Sequence, residues 1–204
     1  MFFSFDGIDG AGKSTQSAMF CQWLRERGHQ VVACRDPGST ALGDHIRRLL
    51  LEEPSIRIDA HAEMLLYMGA RAQLVEEVIR PALAAGNTVV SDRYLLANIV
   101  YQGYAGGLDP EEIRRVGTVA TGGLMPTLTV VLDAPPETAQ GRLARPLDRM
   151  ESRGATYRQA LRDGFLAEAR RYPREIVVVD ADQPHEQVQA EIRRIADRFL
   201  GASR

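Results

Sequence analysis

Lysine is almost missing from this chain. Among its 204 residues there are 25 basic side chains, and the only lysine is Lys13. A compact ammonium is kept at one position where a planar guanidinium evidently does not substitute. Long apolar runs are missing too. Runs such as Ile176 to Val179 fall far short of the roughly 20 residues that cross a bilayer, which excludes a transmembrane helix. Phe2 to Phe5 has no basic flank and meets a Gly-rich turn at once, so no signal peptide is expected and the cytosol is the expected location. Cysteine is scarce. Cys21 and Cys34 form no metal pattern and read as reduced apolar filler. The 4 histidines are scattered, so no metal cluster is expected. Excess charge of either sign is also lacking. A formal net charge of −2 excludes a nonspecific nucleic-acid binder. With 45% apolar residues, that low charge also excludes general disorder. The length suits one domain, residues 1–204, with a core of its own.

What is present alternates. Short apolar runs at Phe2–Phe5, Gln30–Arg35, Thr88–Ser91, Leu128–Leu132 and Glu175–Val179 read as strands. Helical spacing covers Thr15–Arg27, Leu42–Leu51, Ala60–Ala85, Pro110–Ala120, the start of a helix at Pro136–Arg145, Ala155–Arg171 and Pro184–Leu200. The pattern predicts an α/β fold of three α/β/α layers around a five-stranded parallel sheet. Right-handed crossovers place every strand's C-terminal end on one rim, where ligands bind. Polar clusters fall on that rim: Asp6 onward, Arg35-Asp36, Ser91-Asp92-Arg93, Asp133 and Asp180.

Gly7-Ile-Asp-Gly-Ala-Gly-Lys-Ser14 follows the first strand and opens a helix. Glycine, four residues, then Gly-Lys-Ser is the phosphate-cradling loop of P-loop NTPases. Its glycines let backbone N–H groups turn onto an anion, and the helix N-terminus adds partial positive charge. Gly7, Ile8, Asp9, Gly10, Ala11, Gly12, Lys13, Ser14 and Thr15 are therefore the candidate ATP-binding residues. Lys13 would meet the β- and γ-phosphates and Ser14 would face Mg²⁺. Asp9 is unexpected among phosphates. It faces either a second ligand, a metal-bound water or open solvent. With a single lysine, the Asn-Lys-x-Asp guanine-reading motif is excluded, and no apolar strand ends in Asp-Glu as in many motor ATPases. A kinase for a small acceptor remains.

Other residues suit an acceptor. Arg93, directly after the third strand, could clamp a phosphate and Asp92 could hold Mg²⁺ or its waters; the plainer alternative is an Asp92–Arg93 ion pair. Tyr67 and Arg71 stand four apart on one helix face and could stack on and bond to a base. Read alone, a tyrosine on a helix is more often core packing. Asn98, Tyr101 and Gln102 offer groups to a base edge, or are simply polar loop residues before Gly103.

Taken together the chain resembles the bacterial thymidylate kinase family from end to end. The resemblance rests on Phe5 through Thr15, Arg35-Asp-Pro-Gly-Ser-Thr40, Glu63 through Arg71, Asp92-Arg-Tyr94, Tyr101-Gln-Gly-Tyr104, Leu132-Asp133 and Val179 through Pro184. It implies transfer of phosphate from ATP to dTMP with Mg²⁺ as cofactor, in a homodimer. It implies a dTMP site of Asp9, Asp36, Pro37, Arg47, Tyr67, Arg71, Arg93, Asn98, Tyr101 and Gln102. Tyr67 would stack on thymine, Arg71 bond a thymine carbonyl, Asn98 and Gln102 lie at the base edge, and Tyr101 lie beneath the deoxyribose. Asp9 would reach the 3′-hydroxyl and metal waters, and Arg93, helped by Arg47, would hold the acceptor phosphate. The chain departs from the family pattern at Asp36 (often Glu), Ser39 (often Gly) and Ala97 (often Ser).

Arg142, Arg145, Arg149 and Arg153 are spaced three, four and four, which is one basic face or a plain solvated one. The phosphate loop has no arginine to meet the negative charge that phosphoryl transfer spreads, and in relatives with that loop type a mobile lid supplies it. A short lid at about 142–154 is therefore expected, with Arg149 and Arg145 catalytic beside Lys13, Asp9 and Arg93, and Arg142 on ATP. Pro146 argues against a continuous helix there. No general base is evident, and a phosphate monoester acceptor, mostly ionised at pH 7, needs none. The competing readings are a kinase for another nucleotide or deoxynucleoside, and a nucleotide-binding regulatory module with slow hydrolysis.

Overall fold

The computed structural model describes residues 1–53, 55–143 and 153–200. Five parallel strands form one sheet in the order β2-β3-β1-β4-β5. They are β1 (Phe2–Asp6), β2 (Val31–Arg35), β3 (Thr88–Asp92), β4 (Leu128–Asp133) and β5 (Ile176–Asp180). Each lies within one residue of its expected bounds. β1 is central, paired with β3 on one side and β4 on the other. From β1 the chain first crosses to the edge strand β2 and returns to β3 between them, then adds β4 and β5 on the other side. The crevice above β1 is thus the topological switch point, where such sheets bind ligands.

Alternation along β1 explains the layers, since successive side chains face opposite sides of a sheet. Phe3 and Phe5 join Phe20 and Leu24 of α1 (Lys13–Glu26) with Ile192 and Ile195 of α9 (His185–Leu200). Phe2 turns the other way. It joins Met64, Met68 and Leu74 of α3 (Ala60–Leu74) and Ile113 of α6 (Pro110–Thr121). Burying one such phenylalanine contributes about 1.5–3 kcal/mol. The expected sandwich of helices on both sheet faces is present.

Three helical expectations need correction. The pattern over Ala60–Ala85 is α3, then a π turn at Val75–Ile79, then α4 (Arg80–Ala84). Pro81 lacks the N–H that an unbroken α-ladder requires. The helix begun at Pro136 is α7 (Pro136–Gly141) and stops before Arg142. Between β3 and α6, where no helix was expected, α5 (Leu95–Asn98) runs into a second π turn at Ile99–Tyr104. Leu95, Leu96, Ile99 and Val100 have the spacing of a helix face, and all are buried. The remaining helices are α2 (Ala41–Glu52), capped by the Thr40 side chain accepting from Gly43 N, and α8 (Ala155–Arg171). Among the described residues no helix is long and apolar enough to cross a membrane. Cys21 and Cys34 are buried free thiols, and burial pushes the Cys34 thiol up to about 12.

Candidate active site

Two adjoining clefts open above the C-terminal ends of β1 and β3. The phosphate loop forms the first, of about 1390 Å³, lined by Gly10, Gly12, Lys13, Ser14, Thr15, Asp92 and Arg142 among others. α1 begins inside the motif, at Lys13 rather than Thr15, from a left-handed Gly12. Its first-turn N–H groups have no intrahelical acceptor and face the cleft. The loop is closely packed from below. A Cβ at Gly7 would lie 2.4 Å from Leu132 O, and one at Gly10 would lie 1.9 Å from Ala139 O, so both positions demand glycine. Lys13 Nζ donates to Ile8 O at 2.8 Å and lies 3.4 Å from Asp9 Oδ1. Burial, with Arg93 adding, pulls its pKa below the usual lysine value, while Asp9 and Asp92 oppose this. Ser14 Oγ donates to Asp92 Oδ2 at 2.7 Å.

The second cleft, of about 550 Å³, has the size of a small-molecule pocket. It is lined by Asp9, Asp36, Pro37, Arg47, Leu51, Tyr67, Arg71, Arg93, Ala97, Asn98, Tyr101 and Gln102. All ten residues expected around an acceptor are therefore brought together. Tyr67, half-buried on α3, presents to the cleft rather than disappearing into the core. Arg71, one turn on, is 1% exposed. Its Nε donates to Asp36 Oδ2 at 2.5 Å and its Nη1 to Asn98 Oδ1 at 2.8 Å. Burial raises the Asp36 pKa, and Arg71 pulls it back. Asp36 precedes a cis peptide to Pro37, whose carbonyl accepts from Arg47 Nη1 at 3.2 Å.

Asp9 and Arg93 line both clefts. Arg93 Nη2 donates to Asp9 Oδ1 at 2.5 Å and to Tyr101 Oη at 2.9 Å, while Tyr101 Oη donates to Asp9 Oδ2 at 2.7 Å. Burial pushes the Asp9 pKa up, but Arg93 and Lys13 together hold it well below the carboxylate range. Burial opposes the Arg93 charge, yet Asp9, Tyr101 and Asp6 leave it more firmly protonated than usual. The Arg93 backbone is left-handed, φ 70°. A non-glycine residue held there stores about 1–3 kcal/mol of strain, which clusters at functional sites. The solvated reading of Asp9 and the Asp92–Arg93 ion pair are both overturned: Arg93 pairs with Asp9, and Asp92 takes the Ser14 hydroxyl.

Arg142 and Arg153 share no helix face, since α7 ends at Gly141 and α8 begins only at Ala155. Arg142 lines the phosphate cleft and donates through Nη1 to Ala181 O at 2.8 Å. Arg153 turns toward the acceptor side, its Nη2 3.1 Å from Glu63 Oε2. Arg145 and Arg149 lie outside the described residues. Asn98, Tyr101 and Gln102 sit on α5 and its π turn, not on a loop. Two buried carboxylates escaped notice as site residues. Asp6 ends β1 beneath Arg93, 4.0 Å from Nη1, and Glu63 lies behind the base pocket. A rim position after β1 was the available signal for Asp6; Glu63 gave none beyond its place one turn before Tyr67. No cluster of three or more His, Cys, Asp or Glu side chains suits a metal among the described residues.

Comparison with known proteins agrees with this geometry. The family model described as thymidylate kinase matches residues 5–192. The chain is 42% identical over 201 residues to the thymidylate kinase of Symbiobacterium thermophilum, covering 98% of this chain and 94% of that protein. It is 44% identical to that of Clavibacter sepedonicus, covering 99% and 97%. The crystal structure of thymidylate kinase from Ehrlichia chaffeensis superimposes with a TM-score of 0.77 at 28% identity, over 96% of this chain and 98% of that one. A phosphate loop on β1 facing a Tyr67/Arg71 pocket across the shared Asp9–Arg93 pair, in a chain matched nearly end to end, identifies this protein as a member of the thymidylate kinase family.

Proposed function

We propose that the protein transfers the γ-phosphate of ATP to dTMP, giving ADP and dTDP, within one domain located in the cytosol. The observation that carries this reading is the Asp9–Arg93 pair on the wall shared by the two clefts. A group bound in the loop and a phosphate borne by a nucleotide in the pocket would meet there. The chemistry then needs positioning and charge stabilisation more than covalent help. Lys13 and the loop N–H groups hold the donor phosphates. Arg93, with Arg47 behind it, holds the acceptor phosphate, and Asp9 fixes Arg93 through its short ion pair. Tyr67 stacks on thymine, Arg71 donates to a thymine carbonyl, and Tyr101 underlies the sugar.

The oxygen pair of Ser14 and Asp92, 2.7 Å apart beside Lys13, fits Mg²⁺, a hard cation that takes one or two protein oxygens and completes its shell with phosphates and water. Bound there, it would neutralise phosphate charge. The segment 142–154 serves as the lid, with Arg149 and Arg145 supplying the arginine charge that the phosphate loop lacks and Arg142 at the donor. A homodimer is part of this reading, and Leu65 on α3 and Val119 on α6 are large apolar side chains left exposed.

A coupled ADP-release assay across dTMP, dUMP, dCMP, dGMP and thymidine tests the reading. The expected result is fastest turnover with dTMP. Turnover of dCMP as fast as dTMP would remove the base-pocket assignment. ATP binding indifferent to dTMP would favour a regulatory module instead.

A further inference from the structure

Behind the base pocket, a chain of buried side chains ends on a carboxylate. Arg71 Nη1 donates to Asn98 Oδ1 at 2.8 Å, Asn98 Nδ2 to Gln102 Oε1 at 2.7 Å, and Gln102 Nε2 to Glu63 Oε1 at 2.9 Å. The other Glu63 oxygen accepts from Arg153 Nη2 at 3.1 Å. Glu63, Arg71, Asn98 and Gln102 are each 3% exposed or less. Glu63 itself is not part of the cleft wall.

Each amide has one accepting and one donating end, and its neighbours decide which way it points. Here both ends of the chain are one-sided. Glu63, whose other oxygen is paired with the Arg153 guanidinium, accepts at both oxygens, so the Gln102 nitrogen faces it. The Gln102 oxygen then faces Asn98 and takes its NH₂. The Asn98 oxygen is left facing Arg71, which only donates. Reversing both amides would set acceptor against acceptor at Glu63 and donor against donor at Arg71. Each buried group left without a partner costs about 1–3 kcal/mol.

Resting on the reading that dTMP fills this pocket, we infer that Glu63 is a positioning residue for base specificity. It holds the Gln102 and Asn98 amides in the one order that sets a carbonyl oxygen beside the Arg71 guanidinium. An acceptor next to a donor is the complement of thymine, whose ring N–H adjoins a carbonyl oxygen. Cytosine carries the reverse, a bare ring nitrogen next to an amino group. Glu63 touches neither base. It acts through two amides, from the helix that also supplies Tyr67 and Arg71.

Glu63→Gln undoes the constraint at nearly constant volume, because Arg153 takes the new amide's oxygen and leaves its NH₂, a donor, facing Gln102. The double exchange Glu63→Gln with Gln102→Glu rebuilds it. A carboxylate at 102 accepts from both Asn98 and the new amide, while that amide's oxygen accepts from Arg153. The measurement is kcat/KM for dTMP and for dCMP at saturating ATP; where dCMP turnover is too slow, its inhibition constant against dTMP is used. E63Q is expected to lower the dTMP-to-dCMP ratio at least about tenfold, chiefly through KM for dTMP, with KM for ATP unchanged. The exchange is expected to return the ratio to within about threefold of the parent. A merely structural carboxylate would slow both nucleotides alike. A parental ratio in folded E63Q therefore overturns the inference, and so does an exchange variant that fails to recover it. If E63Q does not fold, the exchange variant, which keeps the charge, decides alone: a parental preference supports the inference and a lost one overturns it. A parent enzyme without preference for dTMP over dCMP would instead sink the functional reading beneath it.

Discussion

The two clefts are built on opposite plans. The donor side is one stretch of chain, Gly7 to Thr15, folded tightly over β4 and α7. Its polar groups are backbone N–H groups and one ammonium, which suit any polyphosphate. The acceptor side is assembled from the Asp36–Pro37 turn, α2, α3, the end of β3 and α5 with its π turn. Its polar groups are side chains already bonded to one another: Arg71 to Asp36 and Asn98, Asn98 to Gln102, Gln102 to Glu63. A contiguous loop gives generic affinity for phosphate. A pre-paired network gives discrimination, because a wrong base leaves buried groups unmatched. Asp9 and Arg93 belong to both plans.

The largest expected effect breaks the donor side. Lys13→Ala should lower kcat by about 10³ or more with every acceptor alike, since charge placed at a transferring phosphate is worth several kcal/mol. The dTMP-to-dCMP ratio should stay at the parental value. Near-normal turnover would remove the phosphate-loop argument. A ratio that moved would show that the two plans are not separable.

Arg71→Ala breaks the acceptor side. KM for dTMP should rise roughly 10- to 100-fold while KM for ATP stays within about twofold, the size of one lost charge-assisted hydrogen bond. An equal effect on both would contradict a base-side role. Stability should fall as well, by about 3–5 kcal/mol, because Asp36 is left buried without its partner. Burial already raises the Asp36 pKa, and without Arg71 it would rise further. The folded protein would then bind a proton that the unfolded chain has released. The added loss should therefore set in above the parent's own raised Asp36 pKa and deepen as pH rises from there. Thermal melts of parent and variant at pH 5 and pH 8 check the sign.

Tyr101→Phe tests the shared wall more gently. Removing the hydroxyl takes one hydrogen bond from Asp9 and one from Arg93 but leaves their ion pair. A fall of about tenfold in kcat, with both KM values little changed, is expected from losing that alignment. A change confined to KM for dTMP would place the hydroxyl's role in the pocket alone.

This division also explains what could be read from the chain. The phosphate loop was legible because its chemistry is contiguous and its flanks, an apolar strand and a helix, are local patterns. The strands were legible because parallel sheets bury short apolar runs on both faces. The helix from Leu95 through Tyr104 was not, because polar Asn98 and Gln102 and the glycines after them look like a loop. Only packing of Leu95, Leu96, Ile99 and Val100 turns those polar groups inward. Arg153 looked like part of a basic lid face. Its partner Glu63 lies 90 residues away and is reached only through the fold. Glu63, in the first turn of α3, stood out only as the start of the segment running to Arg71.

The smallest effect on turnover lies beneath both clefts and should move neither. Asp6 ends β1 fully buried, and neither carboxylate oxygen has a hydrogen-bond partner among the described residues. Burial raises its pKa to about 7, although Arg93, 4.0 Å away, and Lys13 pull it down. From the unfolded carboxylate value near 4 up to about 7, the folded protein holds a proton that the unfolded chain has lost. Folding is thus favoured at the acid end of that window. The contribution fades as pH rises through it and is flat above. Asp6→Asn removes this titration. Relative to the parent, the variant should gain on the order of 2 kcal/mol of stability between pH 5 and pH 8. Denaturant melts at those two values measure it. If the parent and D6N lose stability in parallel over that range, Asp6 is already ionised when folded. Its charge would then be held by Arg93, and the pair joining the clefts would have to be redrawn as a triad of Asp6, Arg93 and Asp9.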